Sequence, residues 1–113
     1  MLVASCHCGL VRVEVASTPE YLNECHCSIC RRYAVRWAYY QEDQVRIRCE
    51  PGATETYIWG DRMIAFHRCR ACGCVTHWKD LDPNQKRMGI NTRLMEPADI
   101  ADVPVRQHAG PSS

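Results

Sequence analysis

The sequence predicts a small all-β domain of antiparallel strands with at most one short helix. Three observations carry that prediction. Apolar residues recur in short alternating stretches bounded by turn residues rather than in helical stripes. Nine cysteines fall mainly into three tight groups, the arrangement that ties short strands around metal ions. Finally, a chain of 113 residues has room for one modest core, which thiolate–metal links reinforce.

Along the chain, "LVRVEV" puts Val11, Val13 and Val15 on one face of a half-buried strand. The stretches "VRWAYY", "QVRIRC", "TETYIWG", "MIAFHRC", "CVTHWK" and "KRMGINTRL" are short and rich in aromatic or β-branched residues, as strands are. Pro51-Gly52 and Asp82-Pro83-Asn84 read as turns. Only Ser28 to Ala34 has the makings of a helix. Most aromatic residues lie between Trp37 and Trp78, so the middle of the chain supplies the core. A single domain is expected over residues 1–106. The segment "QHAGPSS", from Gln107 onward, is expected to be a loose tail.

Composition narrows the function. Hydrophobic residues make up 46% and charged residues 24%, values of an ordinary soluble domain. The formal charge of +1 has no basic run behind it, which argues against nucleic acid or an anionic membrane as partner. No apolar run approaches the roughly 18 residues of a membrane span. "MLVASCHCGL" lacks the pattern of a secretory signal, and nine is an odd number for a disulfide framework. Reduced thiols in the cytoplasm, most of them metal ligands, are the expectation. Edge strands and exposed aromatics leave room for a homodimer.

The spacing of the cysteines then sorts them. Cys69 and Cys72, followed by Gly73, form a C-x-x-C-G knuckle that needs two further ligands. Cys6 and Cys8 are the natural partners, because residues i and i+2 of extended backbone share a face. This set would make a structural four-cysteine zinc site joining distant parts of the chain. Cys25, Cys27 and Cys30 are left with one another. Three protein ligands and an open position are the pattern of a catalytic zinc. Cys74 and His77 are the rivals for the fourth corner, and His67 could compete near Cys69. His7 and His26 should point away from their neighbouring cysteines, and Cys49 reads as a small buried hydrophobe.

Taken together, "SCHCG", "CHCSICRRY…WAYY", the C-x-x-C-G knuckle and "INTR" resemble the glutathione-dependent formaldehyde-activating enzyme family, which includes centromere protein V. The resemblance runs from about Ala4 to Arg106, with Cys74 an extra thiol beside the second knuckle. It implies a β-tent of stacked antiparallel sheets and two zinc ions per chain. One ion would be structural, on Cys6, Cys8, Cys69 and Cys72. The other would be catalytic, on Cys25, Cys27 and Cys30. The implied activity is that of a carbon–sulfur lyase, the reversible joining of glutathione and formaldehyde.

A small thiol entering the open position would be acidified by the metal and held while the carbon–sulfur bond forms or breaks. Arg31 and Arg32 follow the third ligand and are candidates to pair with a substrate carboxylate through the guanidinium fork. Tyr33 and Trp37 are candidates to line the pocket, whereas Arg93 reads as a solvated or charge-balancing residue. Two other readings compete with the enzyme. One is a non-catalytic protein-interaction domain whose two zinc sites are both structural, and the other is rubredoxin-like iron at the four-cysteine set.

Overall fold

The computed structural model describes residues 1–109. Ten strands and one α-helix follow in the order β1 (Leu2–Ser5), β2 (Arg12–Val15), β3 (Leu22–Cys25), α1 (Ser28–Tyr33), β4 (Trp37–Gln41), β5 (Val45–Arg48), β6 (Thr54–Tyr57), β7 (Ile64–Cys69), β8 (Val75–Asp80), β9 (Arg87–Asn91) and β10 (Val105–His108). They build a three-stranded sheet, β1-β2-β5, and a seven-stranded sheet, β10-β3-β4-β9-β8-β7-β6. The all-β expectation holds, with the one helix where the sequence placed it. Ala34 closes that helix in the left-handed conformation (φ 57°).

Alternation along β4 explains how the sheets stack. Ala38 and Tyr40 face the small sheet and meet Val13, Val15, Met88 and Ile90 in one buried cluster. Trp37 turns to the opposite face, where it packs with Val35, Phe66, Trp78, Cys27 and Cys30. One face of the large sheet is therefore the structural core, and the other builds the wall of a site.

Two expectations are corrected. Gln107 and His108 do not begin a loose tail: they belong to β10, which pairs in parallel with β3 and brings Gln107 opposite Glu24 and His108 opposite Cys25. The backbone N–H of His26 extends this ladder by donating to the His108 carbonyl at 2.7 Å. The remainder of that expected tail, residues 110–113, lies outside the described residues. Cys49 is exposed rather than buried, because β5 ends at Arg48 and the alternation that would have turned Cys49 inward ends with it.

Candidate metal centres and the cavity beside them

Two groups of cysteines come together, and both are the groups the spacing defines. In the first, Cys6, Cys8, Cys69 and Cys72 bring four sulfurs within 4.8 Å of one another. Cys8 Sγ lies 3.7 Å from Cys6 Sγ and 3.6 Å from Cys69 Sγ. A tetrahedral ion with metal–sulfur distances near 2.3 Å would hold its sulfurs about 3.8 Å apart, so the donor set and its spacing fit such an ion. The backbone supports them: Val11 N–H donates to Cys6 Sγ at 3.3 Å and Cys72 N–H to Cys69 Sγ at 3.5 Å. Gly73 makes the knuckle possible by adopting φ 80°. The N–H groups of Cys74 and Cys8 pull the Cys72 thiol down to about 5, toward the thiolate a metal requires.

The second group is Cys25 at the end of β3, Cys27 at the cap of α1, and Cys30 within α1. Their three sulfurs also lie within 4.8 Å of one another. Among the described residues no further His, Cys, Asp or Glu ligand atom joins them. Cys74 instead lies by the four-cysteine set, packed with Cys72 around Cys6 and Cys69. His77 is buried in β8, bonded to Thr76 Oγ1 and stacked on His67. His67 itself shares a hydrogen bond with Thr54 Oγ1. His7 and His26 are both exposed.

The three thiols are held unequally. Burial acts to raise Cys27, but the N–H groups of Cys30 and Ile29 and the neighbouring thiols outweigh it, and Cys27 is lowered overall. Burial pushes Cys30 well up. Against that rise stands one specific contact, the Trp37 indole N–H donating to Cys30 Sγ at 3.3 Å. A ring N–H aimed at a buried sulfur favours its ionised form.

These sulfurs border a cavity of about 750 Å³. Its walls are mostly aromatic and aliphatic: Trp37 and Ile29 beside the cysteines, Phe66 and Ile64 from β7, Trp78 from β8, and Trp59 at the turn before β7. Gly89 makes this wall possible. It lies between Tyr39 and Trp78 in register, and a Cβ there would overlap the Trp78 indole.

Trp37 lines the cavity as the sequence suggested, but Arg31, Arg32 and Tyr33 do not. Arg31 and Arg32 are exposed, and Arg32 Nη1 donates to the Ser28 carbonyl at 2.7 Å. Tyr33 packs edge-on against Phe66. A cationic side chain does line the cavity, Arg106 from β10, and sequence reasoning did not find it. Arg93 and its neighbours in "INTR" tie the end of α1, its connection to β4 and the start of β8 to the end of β9 instead. Arg93 Nε donates to the Ala34 carbonyl at 2.7 Å, Thr92 Oγ1 to the Arg36 carbonyl at 2.8 Å, and Asn91 Nδ2 to the Val75 carbonyl at 2.8 Å.

Fold and site together define a small β-sheet protein with two cysteine groups able to hold metal ions, one of four sulfurs and one of three at a cavity. The chain belongs to the glutathione-dependent formaldehyde-activating enzyme family, whose sequence profile matches residues 1–108. A stretch of 35 residues is 54% identical to a Halomonas elongata protein named "Putative glutathione-dependent formaldehyde-activating enzyme". That stretch is 30% of this chain and only 22% of the relative's length. The crystal structure of a Rhodobacter sphaeroides protein, a structural-genomics target, is similar with a TM-score of 0.74 at 28% identity. The likeness covers 92% of this chain and 99% of that one.

Proposed function

We propose that this chain joins and splits a small thiol and an aldehyde, a carbon–sulfur lyase reaction consistent with a family named for glutathione-dependent activation of formaldehyde. Cys25, Cys27 and Cys30 would hold a zinc ion at the reaction centre, and Cys6, Cys8, Cys69 and Cys72 a structural one. One observation carries this reading: three sulfurs gather without a fourth ligand among the described residues, at the edge of a cavity that can admit a small molecule. Zinc bound there supplies Lewis acidity that favours the thiolate form of an incoming thiol.

In the joining direction the thiolate sulfur attacks the aldehyde carbon and the carbon–sulfur bond forms. The carbonyl π electrons move to oxygen, which takes up the proton the thiol gave away. Splitting reverses each change, so no oxidant or reductant is needed. The residues of the chain bind and orient. Trp37 steadies Cys30 through its N–H, while Phe66 and Trp78 exclude water from one side. Much of the rate gain would come from holding two small reactants in contact.

Cobalt substitution tests the proposal. Thiolate-to-cobalt absorption reports the sulfur ligands at each group of cysteines, and glutathione is titrated in beside an analogue whose thiol is replaced by hydrogen. The expected result is that both groups bind cobalt and one spectrum changes saturably with the thiol alone. If neither spectrum responds to any thiol, both sites are closed and the protein is a structural or protein-interaction domain.

A further inference from the structure

We infer that the thiol handled here carries an apolar, preferably aromatic body and a single carboxylate, and that Arg106 on β10 is the residue that reads the carboxylate. This rests on the reading of the three-cysteine group as an open thiol site, and it names the substrate class of that site.

Three observations support it. The first is the placement of Arg106. In the parallel pairing of β10 with β3, Arg106 lies opposite Asn23 and His108 opposite Cys25. Asn23 and Cys25 share a face of β3, and the residues in register with them share that face of β10. All four line the cavity. Arg106 is two residues along the strand from the level of Cys25, an offset of about 7 Å. A small molecule with its sulfur at the cysteines therefore has its far end beside the guanidinium.

The second is the state of that guanidinium. It lies over the Tyr21 ring, 4.0 Å from the centroid, so stacking restrains it. Among the described residues no carboxylate engages it in an ion pair, although Arg36, Arg48, Arg68, Arg70 and Arg87 are all so engaged. Among the described residues lining the cavity, it carries the one permanent positive charge. A planar fork of free N–H donors at a cavity rim matches a carboxylate.

The third is the apolar wall of the cavity that Arg106 and the cysteines share. Trp37, Phe66, Trp78, Ile29 and Ile64 present ring faces and methyl groups to most of the space. Glutathione would bring two amides, two carboxylates and an ammonium into it. Asp61 and Arg106 could pair with one charge each. Asn23, Gln107 and His108 offer further polar partners, but they stand on β3 and β10 beside Arg106. An extended polar body would still set its other end against the rings, and polar groups buried without partners weaken binding. A thiol with a phenyl or branched alkyl body matches the aromatic and aliphatic part of the lining and leaves its carboxylate at the polar end.

The test uses 2-mercapto-3-phenylpropanoate, its carboxamide, mercaptoacetate and glutathione, each titrated into the cobalt-loaded protein. Cobalt absorption and tryptophan fluorescence are both followed. The aromatic mercaptocarboxylate should bind at least about ten-fold tighter than glutathione, mercaptoacetate or the carboxamide. Arg106→Gln should remove the difference between acid and carboxamide, and Arg106→Lys should restore part of it. Glutathione binding as tightly as the aromatic acid would overturn the body preference. An acid–carboxamide difference that survives in Arg106→Gln would overturn the role of Arg106. If no thiol perturbs the cobalt spectrum, the open-site reading itself has failed. The three outcomes are distinguishable.

Discussion

Trp37→Phe isolates the contact most specific to the three-cysteine site. The indole N–H of Trp37 donates to Cys30 Sγ at 3.3 Å, and the tryptophan is only 1% exposed, so water cannot replace the donor. Phenylalanine keeps a ring in the cluster but removes the donor. A hydrogen bond to a charged partner contributes about 1.5–3 kcal/mol. At about 1.4 kcal/mol per factor of ten, its loss should weaken metal retention at this group roughly ten- to a hundred-fold. Truncating the buried indole should also lower overall stability, by about 1–2 kcal/mol. Trp78→Phe removes an indole from the same cluster without touching a sulfur bond, and so serves as the control. The assay is competition for bound metal against a chromophoric chelator, with the two ions resolved by their release. Trp37→Phe should release one ion far more readily than Trp78→Phe and hold the other unchanged. Equal release from the two variants would show that the indole N–H does not sustain the thiolate.

Two further perturbations reach other parts of the argument. Gly89→Ala should cost about 1–3 kcal/mol in urea unfolding and alter the tryptophan emission, because its methyl group must displace the Trp78 indole; wild-type stability would mean that the indole does not depend on that space. His77 is 2% exposed, and burial, aided by the charges of His67 and Lys79, holds it down to about 3. It is therefore neutral when folded, and below about pH 6.5 the unfolded chain takes up a proton that the native state refuses. The stability this contributes is full above pH 6.5 and falls as pH drops toward 3, by up to about 1.4 kcal/mol per pH unit. His77→Gln should flatten the fall measured between pH about 6.5 and 5, and unchanged slopes in the two proteins would refute the assignment.

What could be read from the sequence depended on how far each signal reaches along the chain. Strands β2 and β4 to β9 carry alternation or β-branched and aromatic residues within themselves, and they were found. The strand β3, "LNEC", includes Asn and Glu, and β10, "VRQH", is exposed along its length. They form because they pair with each other across some eighty positions: the His26 and Gln107 side chains that bond beside them are 81 residues apart. No local pattern announces such a pairing, so Arg106 stayed hidden. The cysteine groups were legible because ligand spacing is local and chemically narrow. Arg31 and Arg32 were singled out because they follow Cys30 in the chain. A helix turns about 100° per residue, so on α1 both are carried away from the face that Cys30 presents.

The two cysteine groups also stand in a mechanical relation. Strand β7 ends in Cys69, a member of the four-sulfur group, and begins with Ile64 and Phe66, which form part of the cavity wall. The distance between these ends is about five residue steps, roughly 17 Å of extended chain. A metal ion at Cys6, Cys8, Cys69 and Cys72 would anchor β7 and the turn into β8 to the end of β1, a link between sulfurs 61 residues apart in sequence. With β7 and β8 fixed at that end, Phe66 and Trp78 are held against Trp37 from the far side. The three cysteines stand on a different part of the same sheet, on β3 and α1, and are anchored by Trp37 and the Asn91–Arg93 contacts to α1 and its connection. With a metal bound, one group would therefore brace the wall while the other faces the space that the wall encloses. On the proposed assignment, that division would let a chain with a modest core leave one of its two sulfur groups short of a ligand: the four-sulfur group would supply the rigidity, and the three-sulfur group would take its last ligand from outside.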